Sequence, residues 1–236
     1  MNVFYLPEAK TGTMVMPEDE SKHCVKVLRM AVGERFCVTN GKGSLFDAQL
    51  VEAMPKHAVI ELSNERAGYD NTSYNIEIAV APTKLNERME WFLEKATEIG
   101  ISRVRLFTSY HSERREANVE RFRKVMIAAM KQSIKSNLPI IDEIVSFENL
   151  VKQPFDGQKF IAWIDDDVTE QLCDLYQKGQ NALVLIGPEG DFSKEEVALA
   201  KQNGFVPVSL GEARLRTETA ALVAVHIMNL AGQSRE

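Results

Sequence analysis

The chain has 236 residues, 44% of them hydrophobic, and a formal net charge of −6, which allows one large or two modest domains and a sizeable core. No apolar run approaches the roughly 20 residues of a membrane-spanning helix, and the start MNVFYLPEAK lacks the basic segment and long apolar stretch of a secretory signal, so neither a membrane protein nor an exported one is expected. Cys24, Cys37 and Cys173 are scattered and odd in number with no C-x-x-C, which argues against a disulfide framework and a structural zinc site and points to the cytoplasm.

Residues 1–70 read as a small β-rich unit. A strand at 3–6 precedes a helix at 18–30 that carries Val25 and Leu28 on one side. Strands follow at 35–39, 44–53 and 57–62, the first two joined by the strong hairpin signal Asn40-Gly41. His23 and Arg29, six apart on that helix, would lie on neighbouring faces. The polar run 63–72 reads as a linker.

From Tyr74 the grammar changes to alternating strands and helices, which is the pattern of a parallel sheet covered on both faces. A strand at 76–81 ends at Pro82-Thr83-Lys84, a helix at 88–99 stops at Gly100, and a strand follows at 104–107. The loop 109–116 carries His111, Arg114 and Arg115. An amphipathic helix at 119–135 presents Phe122, Val125, Met126 and Met130 on its apolar face, and ends in Lys131, Gln132 and Lys135. Those side chains suit phosphate and ribose, or simply the negative end of a helix dipole. After a strand at 159–164, Asp165-Asp166-Asp167 reads as anionic capping of a helix N-terminus rather than a metal site; no metal is expected.

Charge is segregated along the chain. Residues 22–42 hold five Lys/Arg against one Glu, and residues 101–135 hold nine against three, leaving a net −16 for the remainder. Local basic surface attracts a phosphate backbone whatever the overall balance, so this distribution fits an RNA partner; solvated basic helices would produce it equally.

The C-terminal third carries the chemistry. An apolar strand at 182–186 runs into Gly187-Pro188-Glu189-Gly190-Asp191-Phe192, whose glycines are expected to take positive φ, and Ser193 with Glu196 forms a capping box for the next helix. A strand at 206–209 leads through Leu210-Gly211 and Leu215-Arg216-Thr217-Glu218-Thr219-Ala220 into a helix at 217–230. The two strands are expected to be adjacent, so that their loops share one crevice at the carboxyl edge of the sheet. Neither G-x-x-x-x-G-K-[ST] nor G-x-G-x-x-G occurs, and Glu189 and Asp191 would repel phosphate. A ligand with a cationic centre and many hydrogen-bonding groups fits better.

These loops resemble the signature of the small-subunit ribosomal RNA methyltransferase E family, within the SPOUT (α/β-knot) methyltransferases. The likeness extends to Lys84, Arg88-Met89-Glu90-Trp91, Lys95-Ala96-Thr97-Glu98-Ile99-Gly100, and His23 with Val27-Leu28-Arg29, so it covers nearly the whole chain. The family usually has a third glycine where Asp191 stands and a basic residue where Glu212-Ala213 follow Leu210-Gly211. The resemblance implies a PUA-like β-barrel at 1–70, a SPOUT α/β-knot domain at 73–236 and a homodimer formed through the knotted C-terminal segment. It implies methylation of N3 of a uridine in 16S rRNA of the small ribosomal subunit, with S-adenosylmethionine as donor. The cofactor would be held by Thr83, Ile186, Gly187, Pro188, Glu189, Gly190, Leu210, Gly211, Leu215, Arg216, Thr219 and Ala220. RNA would meet His23, Arg29, Lys84, Arg88, Arg114, Arg115, Lys131, Gln132 and Lys135. Catalysis would fall to Arg216 stabilising the uracil anion, Glu218 orienting it or taking the proton, and Arg29 placing the RNA, although Arg216 and Glu218 also read as a helix-cap pair. A SPOUT enzyme acting on another RNA or at ribose 2′-OH, and a non-catalytic RNA-binding assembly factor, are the alternatives.

Overall fold

The computed structural model describes residues 2–165 and 168–233. The chain forms two compact units, Met1–Asn71 with Ile127–Leu138, and Thr72–Met126 with Pro139–Glu236.

The first unit is built on a five-stranded sheet in the order β1-β3-β4-β5-β2, from β1 (Val3–Tyr5), β2 (Gly12–Val15), β3 (Arg35–Thr39), β4 (Ser44–Glu52) and β5 (Val59–Ala67). Only β1 and β3 pair in parallel. Phe4, Leu6, Met16, Phe36, Phe46, Leu50 and Ile60 make its core. Asn40 closes the β3–β4 hairpin by accepting from Lys42 N and Ser44 N through its side-chain oxygen, as the Asn-Gly signal predicts.

Two expectations fail here. The helix predicted at 18–30 is only α1 (Glu18–Lys22), which widens into a π-helical segment His23–Val27, with Leu28 N donating to His23 O. Arg29 then adopts φ 55°, so it stands beyond the helix and shares no helical face with His23. The predicted linker 63–72 is strand as far as Ala67. Its polar side chains lie on exposed ladder positions and are tied across the sheet, Arg66 to Asp47 and Ser44 to Glu65.

The second unit holds a parallel sheet in the order β12-β10-β11-β6-β7-β8: β6 (Ile76–Val80), β7 (Arg103–Thr108), β8 (Ile140–Ile141), β10 (Gln158–Ala162), β11 (Ala182–Ile186) and β12 (Val206–Val208), with β9 (Val145–Ser146) also pairing β7. Every residue of β6 and β11 is buried, as a strand covered on both faces requires. Its helices are α2 (Asn86–Ile99), the part of α3 (Val119–Gln132) before Ile127, α4 (Phe147–Val151), α5 (Leu172–Leu175), α6 (Lys194–Gln202) and α7 (Thr217–Gln233); the end of α3 belongs to the first unit. Gly100, at φ 122°, ends α2 as expected. Helix α3 stops before Lys135, because Ile134 turns to φ 56°. Asp166 and Asp167 lie outside the described residues; Asp165 is not helical, and the next helix starts only at Leu172 behind Gln171. No helix among the described residues is long and apolar enough to cross a membrane.

Candidate functional site

At the carboxyl edge of the parallel sheet a cavity of about 700 Å³ is lined by the ends of β10, β11 and β12 and the first turn of α7. Strands β11 and β12 are not adjacent, because β10 lies between them. Its end contributes a third wall, Ala162, Trp163, Ile164 and Asp165, which the sequence reading did not assign to the site.

The loop after β11 is held from several sides. Asp191 N donates to Pro188 O, and Thr217, buried at the start of α7, donates its hydroxyl to Gly187 O at 3.0 Å. Phe192 anchors the loop from behind among Phe107 and Phe147, with ring centroids 6.1 and 5.5 Å away. The expected positive φ falls on Asp191, at 60°, and not on Gly187 or Gly190. Those two glycines are required by close approach instead. A Cβ at Gly190 would sit 2.9 Å from His111 Cβ, and one at Gly187 would meet the Phe192 ring at 3.2 Å. In the loop after β12, Gly211 does take positive φ, 113°, and a Cβ there would meet nothing within 4 Å, so the backbone faces open space.

The capping box closes as predicted: Glu196 N donates to Ser193 Oγ and Ser193 N to Glu196 Oε2. Glu196 also accepts from Ser109 Oγ (3.0 Å) and Tyr110 N (2.9 Å), which fixes the loop after β7 against the start of α6. That loop returns to the cavity wall, where His111 Nδ1 lies 3.1 Å from Asp191 O. Glu189 accepts from Lys84 N at 3.1 Å, so its carboxylate ties two loops together. Burial pushes the Asp191 carboxyl above the usual carboxylate range, while hydrogen bonds from the Phe192 and Ile164 amides and the charges of Arg214 and His111 pull it back.

Beside the first cavity is a second, of about 540 Å³, lined by Glu87, Arg88, Trp91, Arg214, Leu215, Arg216, Glu218 and Thr219. The two share Arg214, Leu215 and Arg216. Glu218 is buried, its side chain 8% exposed, and its Oε1 lies 3.7 Å from Arg88 Nε, too long for a hydrogen bond. Its Oε2 has no hydrogen-bond partner among the described residues. The ion-pair partner of Glu218 is thus Arg88, not Arg216.

Of the expected cofactor residues, Ile186, Gly187, Pro188, Glu189, Gly190, Leu210, Gly211, Leu215, Arg216 and Ala220 line the first cavity and Thr219 the second. Thr83 lines neither; it is fully buried and donates to Leu85 O. The expected RNA residues fall in both units. In the first unit His23 and Arg29 are exposed, while Lys131 is spent on Glu20 at 2.7 Å; Gln132 and Lys135 follow it. In the second, Lys84 pairs with Glu113, Arg114 donates to Glu116 O, and Arg115 is exposed. No group of three or more His, Cys, Asp or Glu among the described residues is placed to hold a metal ion.

Comparison with known proteins gives a consistent result. Residues 70–229 match the model of an RNA methyltransferase domain, and residues 17–63 that of an RNA methyltransferase PUA domain. The ribosomal RNA small subunit methyltransferase E of Rickettsia conorii is 26% identical, covering 97% of this chain and 94% of the relative. That of Aquifex aeolicus is 28% identical, covering 97% and 99%. Among solved structures, a probable rRNA-methyltransferase from Porphyromonas gingivalis superposes with a TM-score of 0.90 at 42% identity over 98% of each chain. The ribosomal RNA small subunit methyltransferase E of Neisseria gonorrhoeae, bound to S-adenosyl methionine, gives 0.88 at 29% identity over 98% of this chain and 97% of that one.

Proposed function

The chain belongs to the RNA methyltransferase family, and from that premise we propose that it methylates N3 of a uridine in 16S rRNA of the small ribosomal subunit, using S-adenosylmethionine. The observation that carries this reading is that Arg214, Leu215 and Arg216 line both cavities, so a segment with two arginines stands where a donor compartment meets an acceptor compartment.

The first cavity fits the donor. Its volume falls within the roughly 300–1,000 Å³ of small-molecule sites, and Ile186, Leu210 and Leu215 offer apolar walls. The bare backbone at Gly211 allows close approach, and Asp165, Glu189, Asp191 and Glu212 around the rim suit a sulfonium better than a phosphate. Bound there, adenosylmethionine supplies an electrophilic methyl group: its carbon–sulfur bond breaks with the pair left on sulfur as the new N3–carbon bond forms. The residues of the chain have two tasks. They hold the uracil N3 in line with that methyl, and they stabilise the negative charge that builds on the base as its N3 proton leaves. Arg216 serves the second task through the uracil oxygens, and Glu218 serves it as the neighbouring carboxylate. Arg29 in the PUA-like unit, with His23, engages the flanking RNA.

N3 is paired in a helix, so the target must be unpaired or splayed out. The division near residues 70–73, a homodimer through the C-terminal segment and action in the cytoplasm, where small subunits are made, complete the proposal.

The test uses small ribosomal subunits from cells lacking the protein. They are incubated with it and methyl-labelled adenosylmethionine, and the RNA is digested to nucleosides for mass spectrometry. Label in 3-methyluridine is the expected result. Label in a ribose-methylated nucleoside would reassign the acceptor atom, and no label in subunits, free rRNA or tRNA would turn the protein into a binding factor.

A further inference from the structure

We infer that the second cavity is the seat of the splayed uracil, with the Trp91 indole as its stacking platform and the unpartnered Glu218 Oε2 as the acceptor of its N3–H. This rests on the reading above for the reaction and on separate observations for the seat.

The first is the state of Glu218. A carboxylate oxygen that is buried with no donor is costly unless something brings one, and among the described residues its ion-pair partner, Arg88, stops at 3.7 Å. The second is Trp91. Helix α2 buries Met89, Phe92, Leu93 and Ala96, yet leaves this indole 43% exposed on the cavity wall, one turn beyond Arg88 and so on the same side of the helix. An aromatic face beside a charged rim is what holds an unstacked base in single-stranded recognition. The third is the pattern of charges. Uracil presents a donor, N3–H, between two acceptors, O2 and O4; the cavity is lined by a carboxylate, Glu218, and by three arginines, Arg88, Arg214 and Arg216.

The match discriminates between pyrimidines. Cytosine has a lone pair at N3 where uracil has a hydrogen, so it would leave Glu218 without a donor and set two acceptors against each other. In the reaction the N3–H bond breaks, the proton passes to Glu218 Oε2, and the electron pair stays on N3 to bond the incoming methyl carbon. The product, 3-methyluridine, no longer has a hydrogen for Glu218, which favours its departure; the carboxylic acid then returns its proton to solvent.

The chain has two tryptophans, so Trp163→Phe leaves Trp91 as the only indole. This variant, with saturating S-adenosylhomocysteine, is titrated with oligouridylate and oligocytidylate while its emission is followed. Quenching by oligouridylate at a concentration at least several-fold lower than by oligocytidylate is expected. In turnover assays Trp91→Ala raises KM for small subunits roughly tenfold, within what base–aromatic stacking contributes, and Trp91→Phe restores it. Glu218→Gln, which still accepts a hydrogen bond but is a far weaker base, loses kcat with little change in KM.

Absence of quenching, or equal quenching by both oligonucleotides, overturns the seat even if the wild-type protein makes 3-methyluridine. Trp91 emission that instead tracks protein concentration, with Trp91→Ala shifting the oligomer in light scattering, overturns it in favour of a second copy of the chain covering that face. Uridine-selective quenching without 3-methyluridine formation leaves the seat standing and removes the proposed reaction.

Discussion

Replacing Glu196 by Ala tests whether one side chain holds the wall of the donor cavity. Its carboxylate accepts from Ser193 N at 2.9 Å, Ser109 Oγ at 3.0 Å and Tyr110 N at 2.9 Å. Hydrogen bonds to a charged group contribute about 1.5–3 kcal/mol each when buried. Tyr110 N is exposed and water can replace its bond, whereas Ser109 is buried and its hydroxyl would be stranded. With the lost half of the capping box the net cost is about 2–4 kcal/mol. For a chain of this size that is a fall in Tm of roughly 4–16 °C, read by calorimetry in the transition of the second unit. Cofactor affinity should weaken too, because the loop after β7 would no longer press His111 against Gly190 and Asp191. Glu195→Ala, one residue earlier and exposed, is the control; it forfeits only a favourable helix-dipole charge, about 0.3–1 kcal/mol. Equal losses in the two variants would refute the argument.

Gly190→Ala forces a Cβ to within 2.9 Å of His111 Cβ and should cost about 1–3 kcal/mol in overpacking while weakening the cofactor; adding His111→Gly should recover part of both. Asp191→Asn tests the buried carboxyl. Folding raises its pKa, so the folded state releases the proton less readily than the unfolded chain. Wild-type stability attributable to this group therefore declines as pH rises from the unfolded value of about 4 through the raised folded value, and the Asn variant escapes that decline. The Tm of the Asn variant minus that of the wild type should increase across that window, and a flat difference from acid to neutral pH would count against burial as the cause. Arg216→Ala should abolish methyl transfer with a much smaller loss of cofactor binding, measured by calorimetry; unchanged turnover would take Arg216 off the list of catalytic groups.

The split into a β-rich unit and a parallel α/β unit was legible from periodicity, whereas the PUA-like and SPOUT α/β-knot class came only from the resemblance carried by the two C-terminal loops and the motifs before them. Strands β3 and β11 and the Ser193–Glu196 cap were readable to the residue, because each is decided by local chemistry: a short apolar stretch stopped by the Asn40-Gly41 turn, a continuous apolar run, a side chain within three positions of its partner. What escaped reading depends on distant chain. No spacing rule says that β10 inserts between β11 and β12, so the wall carrying Trp163 and Asp165 was invisible. Nor does one say that Gly190 is small because His111, from a loop some eighty residues earlier, presses on it. Glu218 looked like a partner for its neighbour Arg216; packing gave it Arg88 from α2 instead. The break at His23–Val27 was hidden because a π-helical widening leaves the apolar spacing nearly intact.

The pairing of β6 with β11 also bears on how the protein comes to be folded at all. Ile76 lies opposite Ala182, and the hydrogen bond from Asn75 N to Asn181 Oδ1 joins residues 106 apart. Contacts of that span are entropically expensive to close and form late, so a chain that depends on them folds slowly. The donor cavity is complete only when the first turn of α7 has also packed onto the loop after β11, where Thr217 donates to Gly187 O. A ligand for that cavity has little to grasp in the transition state and leaves the rate of folding nearly unchanged. Its stabilisation is felt on the reverse path, as a longer lifetime of the native protein before it opens.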